Sequence, residues 1–320
     1  AADIVRHARG ARLVLTGRSA LDAARRASID ALKLNDAQVE YRELDVADAA
    51  AVQACADAIV AHHGRIDMVV HSAGVIDDAF ILRKTVEQLR AVWSAKVAGT
   101  INLDRSTRGL ALDGFVLFAS VAGIGGAVGQ SDYATANAFL DGYARYRNAC
   151  VRDGQAHGRT LALDWPLWAD GGMQVDADAQ QTLRQQGWAP LDTAAGLSAL
   201  HTAWASDAEQ VIVLNGTRAA LQAPQPAAVD AAPVDAAPAT QPAAASGVDA
   251  DDLRERTLRY LTQHLAQTLK LAPERIDPEA PMERYGIDSM LSLKLVNALQ
   301  EAFGALPKTL MFEYQTIAAL

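Results

Sequence analysis

Four residues in the middle of the chain could together deliver a proton to a carbonyl oxygen. Ser120 ends an apolar stretch, and Tyr133 and Asn137 follow it four residues apart on one helical face. Free tyrosine has a pKa of about 10, so we expect a nearby cation, Lys96, to lower the pKa of Tyr133. Ser120 would hydrogen-bond the carbonyl oxygen, and Asn137 would order the lysine or a chain of waters. A lone tyrosine would more often be a packing residue, so the hypothesis depends on all four.

A second candidate is Ser289, which precedes an amphipathic helix in the stretch YGIDSMLSLKLVNALQEAFG. The N-terminus of a helix favours an anion because its dipole is positive there and its N–H groups lack partners. A phosphodiester on Ser289 would therefore be well placed. The alternative is that Asp288 and Ser289 only cap the helix.

The elements that would position the first four residues alternate between short apolar stretches and Ala-rich helical patterns. The strand candidates are RLVLTG, VEYRELDV, IDMVVHSAG, GFVLFASV, TLALDW and QVIVLNG. Repeated strand–helix units with nearly continuous apolar strands predict a doubly wound α/β fold, in which helices cover both faces of a parallel sheet. Ligands of such folds bind beyond the carboxyl ends of the strands.

The residues that follow these strands fit a nicotinamide dinucleotide. An arginine after the first strand accommodates the 2′-phosphate of NADP, so Arg18 indicates NADPH. The small residues after the third strand would let the backbone approach a ribose or the nicotinamide closely. Each pattern is weak by itself. The candidate cofactor contacts are Gly17, Arg18, Ser19, Asp45, Val46, Ser72, Ala73 and Gly74.

The rest of the chain divides into a linker and a small helical block. Residues 220–248 are rich in Ala and Pro and bury too little apolar surface to fold, so we predict a linker between a domain at 1–219 and one at 249–320. The last block predicts about four helices, with Asp251 and Asp288 as N-caps. Its apolar positions recur every three or four residues, at Leu258, Leu261, Leu265, Leu269, Leu291, Leu295, Leu299 and Phe303.

Bulk properties exclude several classes of protein. A net charge of −9 argues against a nucleic-acid partner, and no apolar run reaches the ~20 residues of a membrane span. Two cysteines, Cys55 and Cys150, are too few for a disulfide framework and favour a reducing compartment. We therefore expect a cytoplasmic protein without a membrane partner. The histidines show no metal-ligand spacing, so no metal is expected. The sequence starts inside a helical pattern and stops where another helix begins, which predicts a piece of a longer polypeptide.

Residues 10–219 resemble the catalytic half of a ketoreductase domain of a modular type I polyketide synthase, in the short-chain dehydrogenase/reductase superfamily. The stretches that carry the resemblance are ARLVLTGRS, HSAGVIDD, SAKVAGTINL, VLFASVAG and GQSDYATANAFLDGYARYR. The superfamily pattern Tyr-x-x-x-Lys is here Tyr133-x-x-x-Asn137, with the lysine displaced to Lys96, as is typical of the polyketide branch. The resemblance implies a Rossmann-like fold and NADPH-dependent reduction of a β-ketoacyl thioester.

The same resemblance assigns further positions. Pro166 would lie near the nicotinamide, and Gly171 to Gly187 would form a lid. Asp77 and Asp78 resemble the signature of reductases that make D-configured (3R) alcohols, and no tryptophan stands between Ser120 and Tyr133 where the opposite class carries one. Plain loop acids are the alternative. The Gly-rich phosphate-binding turn of the family would precede residue 1, so these residues alone are expected to bind NADPH poorly.

The block from Asp251 onward resembles an acyl carrier protein, and GIDSM resembles its 4′-phosphopantetheine attachment motif, which implies a covalent arm on Ser289. LPKTLMFEYQTI and DWPLWADGGMQVD resemble synthases whose acyltransferase acts in trans. The implied partners are the acyl thioester on the chain's own carrier, neighbouring synthase domains, a phosphopantetheinyl transferase and a separate acyltransferase. An inactive reductase-like scaffold, a fatty acid synthase fragment and a lone dehydrogenase with a helical tail remain alternatives.

Overall fold

The structure is a computed structural model that describes residues 1–222 and 250–320. Single residues and short stretches within these ranges lie outside the described residues, namely Phe80, Leu82, Val128, 172–176, Lys270, Gly286, Asp288, Ala305 and 308–309. Most of the predicted linker also lies outside them. The chain divides into a larger unit that contains residues 1–78 and 84–222 and a smaller unit that contains residues 250–320.

Six parallel strands form the sheets among the described residues of the larger unit, and all six were predicted from the sequence. They are β1 (Arg12–Gly17), β2 (Gln38–Glu43), β3 (Met68–His71), β4 (Gly114–Ser120), β5 (Arg159–Trp165) and β6 (Gln210–Ile212). β1 pairs with β2, and the other four form a second sheet in the order β3-β4-β5-β6. The central strands β4 and β5 align Gly114 with Arg159 and Ser120 with Trp165. The predicted α/β fold of parallel strands between helices is confirmed, with the strands divided between two sheets rather than one.

Ten helices of the described residues connect and cover these strands. They are α1 (Ala2–His7), α2 (Ala23–Asp30), α3 (Ala49–His63), α4 (Val86–Trp93), α5 (Gly99–Thr107), α6 (Ala122–Gly125), α7 (Ser131–Arg152), α8 (Ala177–Gln185), α9 (Thr193–Ala205) and α10 (Arg218–Gln222). Local chemistry fixes where several begin. Asp48 accepts hydrogen bonds from the first backbone N–H groups of α3, and Thr85 forms a capping box with Gln88 at the start of α4.

The core of the larger unit lies between α7 and the two central strands. Phe115, Leu117 and Ala162 pack with Leu140 and Ala144 of the helix in one cluster of buried residues. The opposite face of the same strands packs against α9 through Leu161, Leu163 and Ala203. Because both faces of β4 and β5 are covered, their sequences are almost continuously apolar. No helix among the described residues is long and apolar enough to cross a membrane.

A buried guanidinium fixes the C-terminal half of α7 to the rest of the core. Arg147 Nε donates to Asp104 Oδ1 of α5 at 2.8 Å, and both side chains are fully buried. Three more N–H groups of Arg147 donate to the carbonyls of His157 and Gly158 and to Thr160 Oγ1. Asp104 also accepts from Arg108 and from Tyr143 Oη. The buried charges are therefore both paired and hydrogen-bonded, as burial of ions requires.

The smaller unit is helical throughout its described residues. It contains α11 (Ala250–Leu269), α12 (Ser289–Phe303) and the short α13 (Leu310–Glu313), with 3₁₀ turns at Pro273–Arg275 and Met282–Tyr285. The all-helical fold expected for this block is confirmed, and its described residues form two long helices and three short elements. Seven of the eight predicted apolar positions belong to its core or pack against it, but Phe303 is 48% exposed. The N-cap predicted at Asp251 is wrong because α11 already begins at Ala250, and Asp288 lies outside the described residues.

We predict that Arg147→Met destabilises the larger unit by about 3–5 kcal/mol, because it leaves the buried carboxylate of Asp104 without its fully buried partner. Chemical denaturation measures this change. Arg152→Met on the same helix is the control, because the Arg152–Glu209 pair is solvent-exposed and its loss should cost at most about 1 kcal/mol. Equal free energies of unfolding for the two variants would contradict the prediction.

Candidate active site

The carboxyl ends of β4 and β5 form the floor of the candidate site. Ser120 is the last residue of β4, and Val121 N donates to Trp165 O at the end of β5 with a 3.1 Å bond, which holds the two ends side by side. Helix α7 begins at Ser131 after a glycine-rich turn. A Cβ atom on Gly123 would lie 2.8 Å from Ala138 N, so the absence of a side chain lets α6 pack tightly against α7 beside Asn137.

Lys96 lies in a π-helical segment, Ser94–Ala98, between α4 and α5. Such segments often mark functional sites. The side chain runs inward until Nζ donates to Phe118 O of β4 at 2.9 Å, and the residue is only 4% exposed. Gly74 leaves room for it, since a Cβ atom there would lie 3.2 Å from Lys96 Cε. Burial lowers the pKa of Lys96 to about 8, with the charge of Asp141 opposing the shift.

Tyr133 and Asn137 occupy successive turns of α7 near this lysine. Lys96 Nζ lies 5.6 Å from the centroid of the Tyr133 ring. Asn137 is fully buried and its Nδ2 donates to Tyr133 O at 2.7 Å, while its Oδ1 has no partner among the described residues. The structure therefore brings Ser120, Lys96, Tyr133 and Asn137 into one site.

The expected direction of the Tyr133 pKa is wrong. Burial of the phenol raises its pKa above the ordinary value, a hydrogen bond with Ser120 opposes the shift, and the charge of Asp78 adds to it. Tyr133 is 4% exposed, so the cost of placing a phenolate in this environment dominates. The phenol consequently stays protonated at neutral pH. It is a weaker acid than the sequence indicated.

Two buried titratable residues near the site were not singled out from the sequence. His71 ends β3, and burial together with the Lys96 charge lowers its pKa to about 4, so the imidazole is neutral. Asp141 lies one turn after Asn137, and burial and the charge of Asp164 raise its pKa to about 7. The four-residue steps from Tyr133 to Asn137 to Asp141 were the available signal for the second of these.

The candidate cofactor residues follow the ends of β1, β2, β3 and β5. Val46 is buried and packs in a cluster with Ala73, and a Cβ atom on Gly99 would meet both Val46 and His71. Asp45 Oδ1 accepts from Ala47 N of its own loop. Tyr41 Oη donates to Ser19 O at 2.6 Å, which fixes the turn after β1 beside β2. Residues lining these ends are Gly17, Arg18, Ser19, Asp45, Val46, Ser72, Ala73, Gly74 and Pro166.

Asp77 and Asp78 lie in the loop after β3, and hydrogen bonds attach each to a different helix. Gln88 Nε2 of α4 donates to Asp77 Oδ1 at 2.9 Å, and Gln130 Nε2, next to α7, donates to Asp78 Oδ2 at 2.8 Å. Of the predicted lid, the described part contains α8, while residues 172–176 lie outside the described residues.

Comparison with known families finds two matches. The KR domain family matches residues 1–170, and the phosphopantetheine attachment site family matches residues 259–320. The chain is 39% identical to the polyketide synthase PksL of Bacillus subtilis over 329 aligned residues, which cover all of this chain and 7% of that protein. It is also 39% identical to the polyketide synthase ThaG of Burkholderia thailandensis, covering 95% of this chain and 5% of that protein.

Solved structures give the same result for the larger unit. A ketoreductase domain from the bacillaene assembly line superposes with a TM-score of 0.67 at 37% identity, covering 68% of this chain and 53% of that one. The ketoreductase from the first module of phoslactomycin biosynthesis in Streptomyces sp. HK803 superposes with a TM-score of 0.60 at 36% identity, covering 68% and 50%.

We predict that the free energy of unfolding of the native protein rises relative to that of Lys96→Met as the pH increases from about 8 to about 10.5. The unfolded lysine keeps its proton up to about pH 10.4, whereas the folded lysine loses it near pH 8, so the unfolded state binds more protons in this window. The difference should reach about 3 kcal/mol at most.

Denaturation at several pH values measures this change. Lys33→Met is the control, because Lys33 is a solvent-exposed partner of Asp30. The free energy of unfolding of Lys96→Met, relative to that of the native protein, could instead change with pH no more than that of Lys33→Met does. That result would contradict a buried lysine that loses its proton near pH 8.

Proposed function

We propose that this chain, which belongs to the KR domain family and to the phosphopantetheine carriers of type I polyketide synthases, reduces a β-ketoacyl thioester to a β-hydroxyacyl thioester on its own carrier. The observation that carries the proposal is the convergence of Ser120, Lys96 and Tyr133 at the end of β4. The curated relatives span much more sequence than this chain, so the substrate and partners of the whole synthase are part of the proposal.

A nicotinamide dinucleotide suits the strand ends of the larger unit. Gly74 leaves space beside Lys96, whose ammonium uses one of its three N–H donors on Phe118 O among the described residues. The exposed Arg18 after β1 would pair with a 2′-phosphate, so the proposed cofactor is NADPH. When bound, the reduced nicotinamide supplies the hydride that the β-carbon receives.

Tyr133 then supplies the proton that converts the resulting alkoxide into the alcohol. Its raised pKa keeps the phenol protonated at neutral pH, so a proton is available in every turnover. Ser120 donates a hydrogen bond to the same oxygen and orients it towards the phenol. The Lys96 ammonium, 5.6 Å from the ring centroid, stabilises the phenolate that forms.

Ser289 is the proposed attachment point for the phosphopantetheine arm. It is the first residue of α12, where the helix dipole favours a phosphodiester. We place the reductase at residues 1–219 and the carrier at 249–320, with 220–248 as a tether that keeps the arm at roughly millimolar effective concentration. A phosphopantetheinyl transferase would load the arm. A separate acyltransferase would act on the synthase in trans. We place the synthase in the cytoplasm.

We propose a D-configured (3R) product because the stretch that contains Asp77 and Asp78 resembles the signature of reductases that form it, and hydrogen bonds attach this loop to α4 and to Gln130 before α7. A scaffold that only docks the carrier is the second candidate.

We predict that the 320 residues, expressed with the neighbouring sequence of their synthase, gain one acyl-phosphopantetheine arm from acetoacetyl-CoA and a transferase. Addition of NADPH should then add two hydrogens to the arm. Intact-mass spectrometry measures both steps. Ser289→Ala should abolish loading, whereas Ser292→Ala on the same helix should retain it. Absence of loading on Ser289 would overturn the carrier proposal.

The reduction step has its own matched pair of variants. Tyr133→Phe should slow reduction by about 10²–10⁴-fold, because it removes the general acid. Tyr146→Phe on the same helix should leave the rate unchanged, since the Tyr146 ring is half exposed and packs against Arg108. Loading followed by no reduction in the unmutated protein would favour the scaffold.

A further inference from the structure

A buried ion pair lies next to the catalytic tyrosine but takes no part in the proposed reduction. Lys84 Nζ is 2.6 Å from Asp132 Oδ2, and the two side chains are 3% and 1% exposed. Lys84 immediately precedes Thr85, the N-cap of α4, and Asp132 lies in the first turn of α7, directly before Tyr133. The pair joins two segments that are 48 residues apart in the sequence.

Asp132 holds the first turn of α7. Its Oδ1 accepts from Tyr133 N at 2.8 Å, and its carbonyl accepts from Trp93 Nε1 of α4 at 3.1 Å. The carboxylate that pairs with Lys84 therefore also fixes the backbone of Tyr133.

Lys84 holds the loop after β3. The same Nζ that pairs with Asp132 donates to Asp77 O at 2.6 Å. Gln88 Nε2 fixes the Asp77 side chain, and Gln88 is itself fixed by its capping box with Thr85. One ammonium thus connects the loop backbone to the turn that carries the phenol. The described residues of this loop have no helix or strand among them, so the position of the loop depends on such contacts.

Stability alone is a poor explanation for this arrangement. A buried ion pair commonly contributes little net stability, because the desolvation of both charges offsets their attraction, and an apolar pair of similar size can replace it. What an apolar pair could not supply is the simultaneous hydrogen bonding of Asp77 O and Tyr133 N. The pair is therefore better suited to fixing geometry.

The fixed geometry concerns the reaction because the bridge ties this loop to the backbone turn that carries the phenol. Asp78, one residue after Asp77, acts electrostatically on Tyr133 and is bonded to Gln130 at the start of α7. A loop held to the turn of the proton donor can limit the orientations in which a carbonyl oxygen reaches that donor. A displacement of about 1 Å at such a wall is enough to change rates strongly.

We propose that Lys84 is a positioning residue whose bridge between Asp77 and Asp132 fixes the loop after β3 against Tyr133 and so selects one orientation of the β-keto group. The proposal rests on the proposed reduction. It adds that the configurational purity of the alcohol depends on a cation that touches neither substrate nor cofactor.

The test compares Lys84→Met, Asp132→Asn and the exposed control Lys33→Met in the protein with its neighbouring synthase sequence. Asp132→Asn keeps an oxygen that can accept from Tyr133 N but loses the charge that pairs with Lys84, so it provides a second variant if Lys84→Met folds poorly. Reduction of carrier-bound acetoacetyl groups is followed by hydrolysis and chiral chromatography of the 3-hydroxy acid.

Both site variants are expected to lower the ratio of major to minor enantiomer at least tenfold, with the control unchanged. A purely structural residue would lower the amount of folded enzyme and leave this ratio intact. A folded Lys84→Met or Asp132→Asn protein with the native enantiomer ratio would overturn the proposal.

Amide hydrogen exchange separates this proposal from the proposed function. The Tyr133 amide should exchange at least tenfold faster in Lys84→Met than in the native protein, whether or not the protein reduces its carrier. Unchanged exchange in a folded variant would overturn the positioning role. If the unmutated protein makes no alcohol, that result counts against the proposed function. The exchange rate of the Tyr133 amide would then still test the positioning role of Lys84.

Discussion

The packing of α7 against the buried strands β4 and β5 is the constraint on which the rest of the larger unit depends. This one helix contributes Tyr133 and Asn137 to the site and carries Asp141 one turn further on. It also contributes Arg147 to the buried ion pair with Asp104. Gly123 of α6 packs tightly against α7, and this contact fixes the position of α7 relative to the turn that follows β4. Because this interface is buried, each polar group within it needs a partner or a shifted pKa.

That burial explains the electrostatics of the site. Burial disfavours both the ammonium of Lys96 and the phenolate of Tyr133, so the pKa of the lysine falls to about 8 while that of the tyrosine rises. Each group therefore favours its neutral form more strongly than it would in water. A phenol that keeps its proton until an alkoxide forms beside it suits a reductase, since the donor must be protonated when the substrate arrives.

Sequence reasoning was most reliable where periodicity carried the information. Apolar runs bounded by Gly or Asp located all six strands, and four-residue spacing placed Tyr133 and Asn137 on one face of α7. It was wrong about the pKa of Tyr133, because spacing does not report how deeply a group is buried. Phe303 fits the period of α12 yet is exposed, since it lies at the last turn, beyond most of the core. The Lys84–Asp132 pair left no signal, because its members are distant in sequence.

Direct titration of the Tyr133 phenol tests most sharply whether burial controls this site. Tyrosine labelled with ¹³C at Cζ, assigned by comparison with Tyr133→Phe, would be followed by NMR in the cofactor-free protein as the pH is raised. The structure predicts that the Tyr133 resonance titrates above the ordinary tyrosine pKa of about 10. A midpoint clearly below that value would show that the neighbouring cation outweighs desolvation, and would contradict the control of this site by its buried interface.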